Sequence, residues 1–207
     1  MTGSGLEELG IKLRDNKTIA ADGFLRTNIP NIYVAGDATG PYQFTHTASH
    51  QAWYAAVNSL FGRFKKFKVD YRVIPKVTFT DPEVASVGLN QLEAKEKNIA
   101  YETSTFGLDE LDRAITDSSD QGWVKVLTKP GKDQILGVTI VGEHTGELIA
   151  EFVLAMKHKL GLNKILGTIH AYPTMSEANK YVAGIWKRQH APQIILNFLE
   201  KLHKWMR

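Results

Sequence analysis

Cysteine is missing from the 207-residue sequence. This absence excludes disulfide bonds, thiolate metal sites, a cysteine nucleophile and a redox-active dithiol within these residues. The sequence also contains no run of about 18 apolar residues, which a transmembrane helix needs. Its N-terminus lacks the basic stretch and apolar run of a secretory signal. We therefore expect a cytoplasmic protein.

Excess charge of one sign is missing as well. The chain has 25 Lys and Arg residues against 22 Asp and Glu residues, and the net charge of +3 gives no bulk attraction to nucleic acid. The segment from Phe61 to Arg72 interleaves aromatic and basic residues, as some single-strand-binding surfaces do. We interpret it as a connector between domains, with rings packed inward and lysines in water. We expect no nucleic-acid partner.

The hydrophobic residues, 43% of the total, suffice for a real core, and their pattern changes near residue 70. Before that point, residues 31–35 form an apolar run, typical of a buried strand, that stops at Gly36 and Asp37. From Thr45, the predicted N-cap, alanines and other apolar residues recur at helical spacing as far as Phe61. This spacing predicts a helix that packs closely through its alanine face.

A strand that ends in Gly36 and Asp37 before a helix places one carboxylate and several backbone amides at the carboxyl end of a sheet. Domains of the α/β class bind ligands there, because the carboxylate suits hydroxyl groups and the amides suit carbonyls or anions. An ordinary strand–turn–helix unit explains the same pattern. The spacing alone leaves both interpretations open.

Beyond residue 70 the pattern is rich in β-forming residues, with helices interposed. Four such runs occur, at 73–79, 100–106, 122–127 and 135–141. Helical patterns occur at about 89–97, 146–159 and 178–186. Strands with segregated helices predict an α+β domain built on an antiparallel sheet.

Three side chains near the start of the second helical pattern could be imagined as metal ligands, namely His144, Glu147 and Glu151. Their spacing matches no strong metal signature. We interpret them as a solvated helix face and predict no metal site.

Residues 170–177 combine a histidine, a tyrosine and a glutamate around a proline. Pro173 disfavours helical backbone at Tyr172, and the bond between them is a candidate for the cis form because it follows an aromatic residue. A helix is expected to begin near residue 176, capped by Thr174 or Ser176. These residues are interpreted either as a functional segment or as an ordinary capped helix start.

The sequence ends in an amphipathic pattern. Residues 186–207 hold five Lys or Arg against one Glu. Seven apolar residues share one face at helical spacing: Ile194, Ile195, Phe198, Leu199, Leu202, Trp205 and Met206. We expect this helix to pack against its own domain or a dimer partner. The alternative is a helix on a membrane surface, which would make the protein peripheral to the membrane.

Four motifs occur in order along the chain: Ala35-Gly36-Asp37 before an alanine-rich helix, then Phe79 to Gly88, Ile135 to Glu151, and Tyr172 to Glu177. Together they resemble the C-terminal part of the FAD-dependent pyridine nucleotide-disulfide oxidoreductases. That family contains dihydrolipoamide dehydrogenase, glutathione reductase and mercuric reductase. The resemblance extends over about residues 5–185.

The resemblance implies two parts, to which the residue pattern adds a third. Residues 1–70 close the FAD-binding domain, an α/β fold of which a strand and a helix are present. Residues 71–185 form the α+β interface domain, through which the family dimerises, so that a homodimer is implied. Residues 186–207 add the amphipathic helix.

The resemblance also implies two groups of site residues. Asp37, directly after Gly36, is implied to bind a ribityl hydroxyl of FAD. The helix start at Phe44, Thr45 and His46 is implied to face the pyrimidine edge of the flavin.

The second group departs from the family pattern. The family's usual acid–base residue is a histidine directly before the proline, paired with the glutamate that matches Glu177, and it serves the disulfide of the other subunit. Here that position is Tyr172. A phenol with a pKa near 10 is a poor base towards a thiol with a pKa near 8.5. His170, two residues earlier, is the alternative base.

Mercuric reductases also carry a tyrosine in this region, but their C-terminal cysteine pair is absent here. The family's Gly-rich FAD fingerprint, its CxxxxC disulfide and its NAD(P)H domain also have no counterpart in the sequence. We therefore expect an inactive module of a longer enzyme that uses FAD and NAD(P)H on a small-molecule or disulfide substrate. The alternative is a stand-alone dimeric interaction protein, associated with a membrane surface through its tail.

Overall fold

The computed structural model describes residues 5–192, 198–199 and 202–206. The chain divides into two compact units, Met1–Tyr71 and Arg72–Arg207. Among the described residues, no helix is both long enough and apolar enough to cross a lipid bilayer.

The first unit consists of extended segments and one long helix, α1 (Thr45–Phe61). A short 3₁₀ turn at Gly36–Ala38 precedes α1. Two isolated antiparallel bridges join the extended segments, Leu13 with Ile19 and Arg26 with Tyr33. The prediction of a regular buried strand at residues 31–35 is wrong. Within the described residues, the only β-bridge of this segment is the one between Tyr33 and Arg26. A single bridge does not make a regular strand.

Helix α1 lies where the spacing predicted it, but it packs on a different face. Asn58 is 2% exposed, whereas Leu60 and Phe61 are 71% and 56% exposed. The Asn58 amide donates to the carbonyl oxygens of Phe24 and Phe67 at 3.1 and 2.8 Å, and it accepts from the Phe67 N–H at 2.8 Å. The expected packing through the alanine face is therefore wrong, because the buried face instead satisfies backbone groups of neighbouring loops.

The segment that follows α1 also differs from expectation. Phe61 and Phe64, expected to pack inward, are exposed, Phe64 by 88%. Two lysines lie over aromatic rings: Lys65 over Phe67 at 5.1 Å and Lys66 over Phe24 at 5.8 Å. The ammonium groups of these lysines thus lie over aromatic faces, an arrangement that favours a cation–π interaction.

The second unit contains a five-stranded antiparallel sheet with the order β1-β2-β5-β4-β3. The strands are β1 (Pro75–Thr78), β2 (Glu83–Gly88), β3 (Glu102–Gly107), β4 (Trp123–Thr128) and β5 (Ile135–Gly142). The central strand is β5, where Ile140 lies opposite Ala85 of β2 on one side and Val124 of β4 on the other. The antiparallel sheet with helices predicted from the sequence is confirmed.

Five helices accompany this sheet: α2 (Gln91–Glu96), α3 (Asp112–Thr116), α4 (Thr145–Lys157), α5 (Leu162–Leu166) and α6 (Glu177–Gln189). In the C-terminal segment, residues 198–199 and 202–205 are helical and Met206 is in a turn. The rest of the helix predicted over residues 193–207 lies outside the described residues.

The core of the second unit lies between the sheet and the helices α4 and α6. Phe152 of α4 and Val182 of α6 are 0% exposed, and they share one cluster with Val124, Val138 and Ile140 of the central strands. Burying a side chain such as Phe152 contributes about 1.5–3 kcal/mol relative to leaving it in water. This core fixes the helix α6, and with it the segment that precedes α6.

The ends of β2 and β5 approach each other so closely that glycine is needed at two positions. Gly88 has a φ of +71°, and a Cβ atom there would strike the carbonyl oxygen of Leu136. A Cβ atom on Gly137 would strike the backbone of Leu89. The pairing of these two strands in this register therefore requires a residue without a Cβ atom at both positions.

The start of helix α4 is capped by a side chain from strand β2. The Glu83 carboxylate of β2 accepts from the backbone N–H of Thr145 at 3.0 Å and from its hydroxyl at 3.3 Å. The preceding residue, His144, adopts the left-handed region with a φ of 55°. Because the first amides of a helix have no acceptor inside it, Glu83 supplies a cap that the local sequence lacks.

Candidate functional site

The loop between α5 and α6 carries the tyrosine singled out in the sequence. Tyr172 is 68% exposed, and the peptide bond to Pro173 is cis, as its sequence indicated. The Tyr172 hydroxyl donates to Oδ2 of Asp112 at 2.9 Å. Asp112 is the first residue of α3. An element distant in sequence therefore positions the phenol.

This contact favours the protonated state of the phenol. The hydrogen bond to Asp112, followed by the negative charge of that carboxylate, raises the pKa of Tyr172 above its ordinary value of about 10. At neutral pH the hydroxyl is therefore protonated and acts as a hydrogen-bond donor.

Glu177, the first residue of α6, is 3% exposed and lies behind the loop. Its carboxylate accepts from the backbone N–H of Thr174 at 3.3 Å and from the Tyr181 hydroxyl at 3.5 Å. Burial, followed by the charges of Glu177 and Asp112, raises the pKa of Tyr181. Glu177 thus binds the loop backbone and the phenol of Tyr181. The Tyr172 hydroxyl binds Asp112 instead.

The expected cap of α6 is wrong. Ser176 is the N-cap residue, but no side chain among the described residues caps the helix there. The Thr174 hydroxyl donates instead to the carbonyl oxygen of Ala171 at 2.7 Å. The Glu177 carboxylate accepts from the Thr174 N–H, which ties the loop to the helix start but caps none of the helix amides.

His170 belongs to a separate cluster with α4. Its side chain is 5% exposed, Nε2 lies 3.0 Å from a carboxylate oxygen of Glu151, and Nδ1 lies 3.0 Å from the carbonyl oxygen of Thr168. Glu151 also accepts from the Asn179 amide at 2.9 Å. Because both ring nitrogens face oxygen atoms, the imidazole has no nitrogen open towards the loop surface.

The structure therefore distributes the predicted residues over two hydrogen-bonded groups, Tyr172 with Asp112 and His170 with Glu151. Asp112 and Asn179 were not among the residues predicted from the sequence, and Glu151, predicted to lie on a solvated face, instead contacts His170 and Asn179. No local signal identifies these partners, because each is distant in sequence from the residue that it binds. Among the described residues, no cluster of three or more His, Asp or Glu side chains is arranged to hold a metal ion.

In the first unit, the turn at Gly36 is fixed by a buried glutamine. Gln51 is 0% exposed; it accepts from the Gly36 N–H at 2.6 Å and donates to the Tyr71 hydroxyl at 2.8 Å. Gly36 has a φ of +74°, and a Cβ atom there would lie 3.2 Å from Cβ of Ala48. This network holds the backbone of the turn against α1 and directs the side chain of the next residue, Asp37, to solvent.

The start of α1 differs from the expected capped helix. Its N-cap residue is Phe44, not Thr45, and no side chain in the described part of the chain caps it. The first turn of any α-helix presents N–H groups without an acceptor inside the helix, and here Thr45 and His46 are exposed. The ring of Phe44 stacks on that of His46 at 5.2 Å and 9°.

We tested whether this part of the first unit suits a flavin cofactor. The hydroxyl of Thr47 is buried and has no hydrogen-bond partner among the described residues. Beside it, the helix start offers N–H donors for carbonyl oxygens, and the exposed Asp37 carboxylate offers an acceptor for hydroxyl groups. The donors and acceptors fit a group that carries both carbonyl and hydroxyl oxygens, as FAD does.

Two family models match the sequence. The model described as the dimerisation domain of pyridine nucleotide-disulphide oxidoreductases matches residues 74–183. The model described as pyridine nucleotide-disulphide oxidoreductase matches residues 2–52. The two matches fall on the second and the first unit.

Curated relatives carry two kinds of name. A dihydrolipoyl dehydrogenase of Chlamydia muridarum is 39% identical over 173 residues, which are 84% of this chain and 37% of that protein. A dihydrolipoyl dehydrogenase of Buchnera aphidicola is 37% identical over 97% of this chain and 41% of the relative. A mercuric reductase of Streptomyces lividans is 35% identical over 87% of this chain and 38% of the relative. The chain spans about two fifths of the length of these relatives.

Solved structures show the same fold. LpdA from Mycobacterium tuberculosis superposes with a TM-score of 0.79 at 27% identity, over 88% of this chain and 39% of that one. The HOCl-induced flavoprotein disulfide reductase RclA from Escherichia coli superposes with a TM-score of 0.78 at 23% identity, over 87% of this chain and 41% of that one.

The resemblance read from the four motifs is thereby confirmed, and so is the α+β fold class. The family depends on FAD and NAD(P)H, and membership in a dimerisation-domain family implies a homodimer. The chain belongs to the pyridine nucleotide-disulphide oxidoreductases, and its second unit is a dimerisation domain of that family.

Proposed function

We propose that this chain supplies the dimerisation domain and the adjoining edge of the FAD site of a homodimeric NAD(P)H-dependent oxidoreductase. The observation that carries the proposal is the match of residues 74–183 to the dimerisation domain, together with an exposed Tyr172 held by Asp112. FAD, when bound, supplies the two-electron chemistry that links a pyridine nucleotide to the substrate.

The surface of the second unit supports dimer formation. Ile169 is 97% exposed, Phe79 is 81% exposed and Leu154 is 58% exposed. Large apolar side chains in water are unfavourable, and burial in an interface between two copies removes that cost. A homodimer of this unit accounts for their exposure.

The mass of the purified chain in solution tests the dimer. We expect twice the 23.1 kDa of one chain by sedimentation velocity, and dissociation on Ile169→Asp. Leu60→Asp is the matched control, because Leu60 is 71% exposed on α1 in the first unit. A monomeric wild-type chain at micromolar concentration would overturn the proposal.

For the FAD edge, we propose that Asp37 accepts from ribityl hydroxyls, that Gly36 allows close backbone approach, and that the start of α1 at Phe44, Thr45 and His46 faces the pyrimidine edge. The test is a titration of the ¹⁵N-labelled chain with FAD. We expect weak binding that shifts the amide signals of the turn and the helix start. Asp37→Asn should weaken these shifts, whereas Asp15→Asn, an exposed loop aspartate in the same unit, should leave them unchanged. Absence of shifts at millimolar FAD would contradict this part.

In the complete enzyme, Tyr172 lines the substrate pocket of the partner subunit, and the buried Glu177 holds the loop behind it. Since the phenol is protonated and both His170 nitrogens face oxygen atoms, this pocket orients its substrate by hydrogen-bond donation. Among the described residues of this loop, neither Tyr172 nor His170 offers the free base that dithiol oxidation needs. The expected result is a pyridine-nucleotide-dependent activity that Tyr172→Phe lowers. An unchanged rate with every disulfide or metal substrate would remove Tyr172 from the mechanism.

The membership of this module in a larger polypeptide is testable in source cells. We expect an immunoblot against these residues to detect a polypeptide at least about twice as heavy as this chain, because two further domains are needed. A band at the mass of this chain alone would favour the alternative, a stand-alone dimeric interaction protein.

A further inference from the structure

The described part of the C-terminal segment carries a set of apolar side chains, which we call the tail patch: the exposed Phe198, Leu199, Trp205 and Met206, and the half-buried Leu202. Trp205 is 83% exposed, Met206 69% and Phe198 63%. At the 3.6 residues per turn of an α-helix, these positions fall within an arc of about 120°. The tail patch therefore has the geometry of one apolar helix face, most of which is not covered by the part of the chain that the structure describes.

The same segment concentrates positive charge. Residues 186–207 contain five Lys or Arg and one Glu, a net charge of +4, whereas the whole chain carries +3. The remaining residues are thus slightly acidic in balance. Basic residues and an apolar face thus occur together in this segment.

The base of the segment is attached firmly to the second unit. Trp186 of α6 is 5% exposed, and the ring of His190 stacks on it at 4.4 Å. Nε2 of His190 lies 2.9 Å from a carboxylate oxygen of Glu102 on β3. These contacts hold the C-terminal end of α6 in place. The chain beyond α6 therefore starts from a fixed point, close to Pro192.

We propose that the tail patch binds an anionic lipid surface and makes the protein peripheral to a membrane. The apolar face enters the boundary between headgroups and acyl chains, where Trp205 and Phe198 are favourable. The basic residues of the segment, Lys204 among them, contact the acidic headgroups.

Charge complementarity selects this occupant over the alternatives. A second copy of the segment brings the same net charge of +4, so that pairing of two tails places like charges together. An acidic polyelectrolyte such as nucleic acid would match the charge but would leave the apolar face in water. An acidic lipid surface satisfies both features, and the two tails of a homodimer would bind one surface together with increased avidity.

Co-sedimentation of the purified chain with vesicles tests the proposal. We expect the chain to pellet with phosphatidylcholine vesicles that contain 30% phosphatidylglycerol, and much less with pure phosphatidylcholine. A chain that ends at Pro192 should stay in the supernatant. Equal pelleting of the two chains, or equal pelleting with the two lipids, would overturn the proposal.

Point variants separate the apolar and basic contributions. Phe198→Ser with Trp205→Ser should abolish pelleting, and Lys201→Gln with Lys204→Gln should weaken vesicle affinity about 25-fold, since each cation contributes about fivefold. The matched control is Lys125→Gln with Lys129→Gln, two lysines of the sheet and its hairpin, which should bind as wild type. A weakening equal to that of the Lys201 and Lys204 variant would show nonspecific attraction and contradict the proposal.

The fluorescence of Trp205 gives a readout independent of sedimentation. We expect a blue shift of the tryptophan emission on addition of acidic vesicles, and its loss in Trp205→Phe, which keeps an apolar ring. A dimeric mass of the Pro192-terminated chain would show that the tail acts separately from the dimer interface. Conversion of that chain to a monomer would identify a second copy as the occupant and overturn the proposal.

Discussion

The hydroxyl of Tyr172 donates a 2.9 Å hydrogen bond to Asp112, a residue 60 positions earlier in the chain. This contact joins the cis-proline loop to the start of α3. It places a protonated phenol where the family resemblance implies an acid–base histidine. The chemistry available at this loop therefore depends on a partner from another element.

Replacing that partner should change the titration of the phenol. Asp112→Asn removes the negative charge that favours the protonated form, so that the pKa of Tyr172 should fall towards about 10. The difference in absorbance near 295 nm between this variant and its Tyr172→Phe derivative reports the titration. A pKa equal to that of the wild-type phenol would contradict the assigned contact.

The same contact makes a pH-dependent contribution to the folded state. A raised tyrosine pKa means that the interaction is fully present below the unfolded value, about pH 10, and is lost as pH rises through the folded value. The difference in unfolding free energy between wild type and Asp112→Asn should accordingly shrink at alkaline pH. A difference that stays constant to the highest accessible pH would oppose this assignment.

The cluster around Glu151 should contribute to stability rather than to proton transfer. Glu151→Ala removes the acceptor of both His170 and Asn179, and we expect a loss of about 1–3 kcal/mol in the free energy of unfolding by urea. Glu147→Ala is the control, because Glu147 lies exposed on the same helix and should change stability by less than about 0.5 kcal/mol. Equal effects would show that the hydrogen bonds of Glu151 are not stabilising.

Two glycines with nearly the same φ value allow the cost of backbone strain to be measured apart from the cost of a steric clash. Gly88 and Gly131 have φ values of +71° and +68°, but a Cβ atom would strike Leu136 at the first position and would meet nothing within 4 Å at the second. Gly131→Ala should cost about 1–2 kcal/mol of unfolding free energy from backbone strain alone. Gly88→Ala should cost clearly more. Similar values in denaturant titrations would contradict the close approach of β2 and β5.

The buried glutamine of the first unit offers a test of the turn at Gly36. Gln51→Leu keeps most of the side-chain volume but leaves the Gly36 N–H without its acceptor, which should cost about 1–3 kcal/mol. Hydrogen exchange at the Gly36 amide should become faster than in wild type. The expected acceleration is confined to the network of Gly36, Gln51 and Tyr71. Unchanged exchange would mean that another group protects this amide.

Local pattern was sufficient for the long helices and for the class of the second unit. Apolar spacing located α1 and α4 to within two residues, and runs of β-forming residues indicated four of the five strands. The pattern missed β2, because only two of its six residues, Val84 and Val87, are β-branched or aromatic. This strand forms only because β5 and β1 pair with it on both sides.

The sequence by itself determined the family, the α+β class and the identity of the residue before Pro173, because these depend on the order of motifs along the chain. Only the tertiary structure decided that Tyr172 binds Asp112, that His170 binds Glu151 and that Glu83 caps α4. The reason is physical: each of these pairs joins different elements, so that strand register and helix packing, not spacing in the sequence, bring the two side chains within hydrogen-bonding distance.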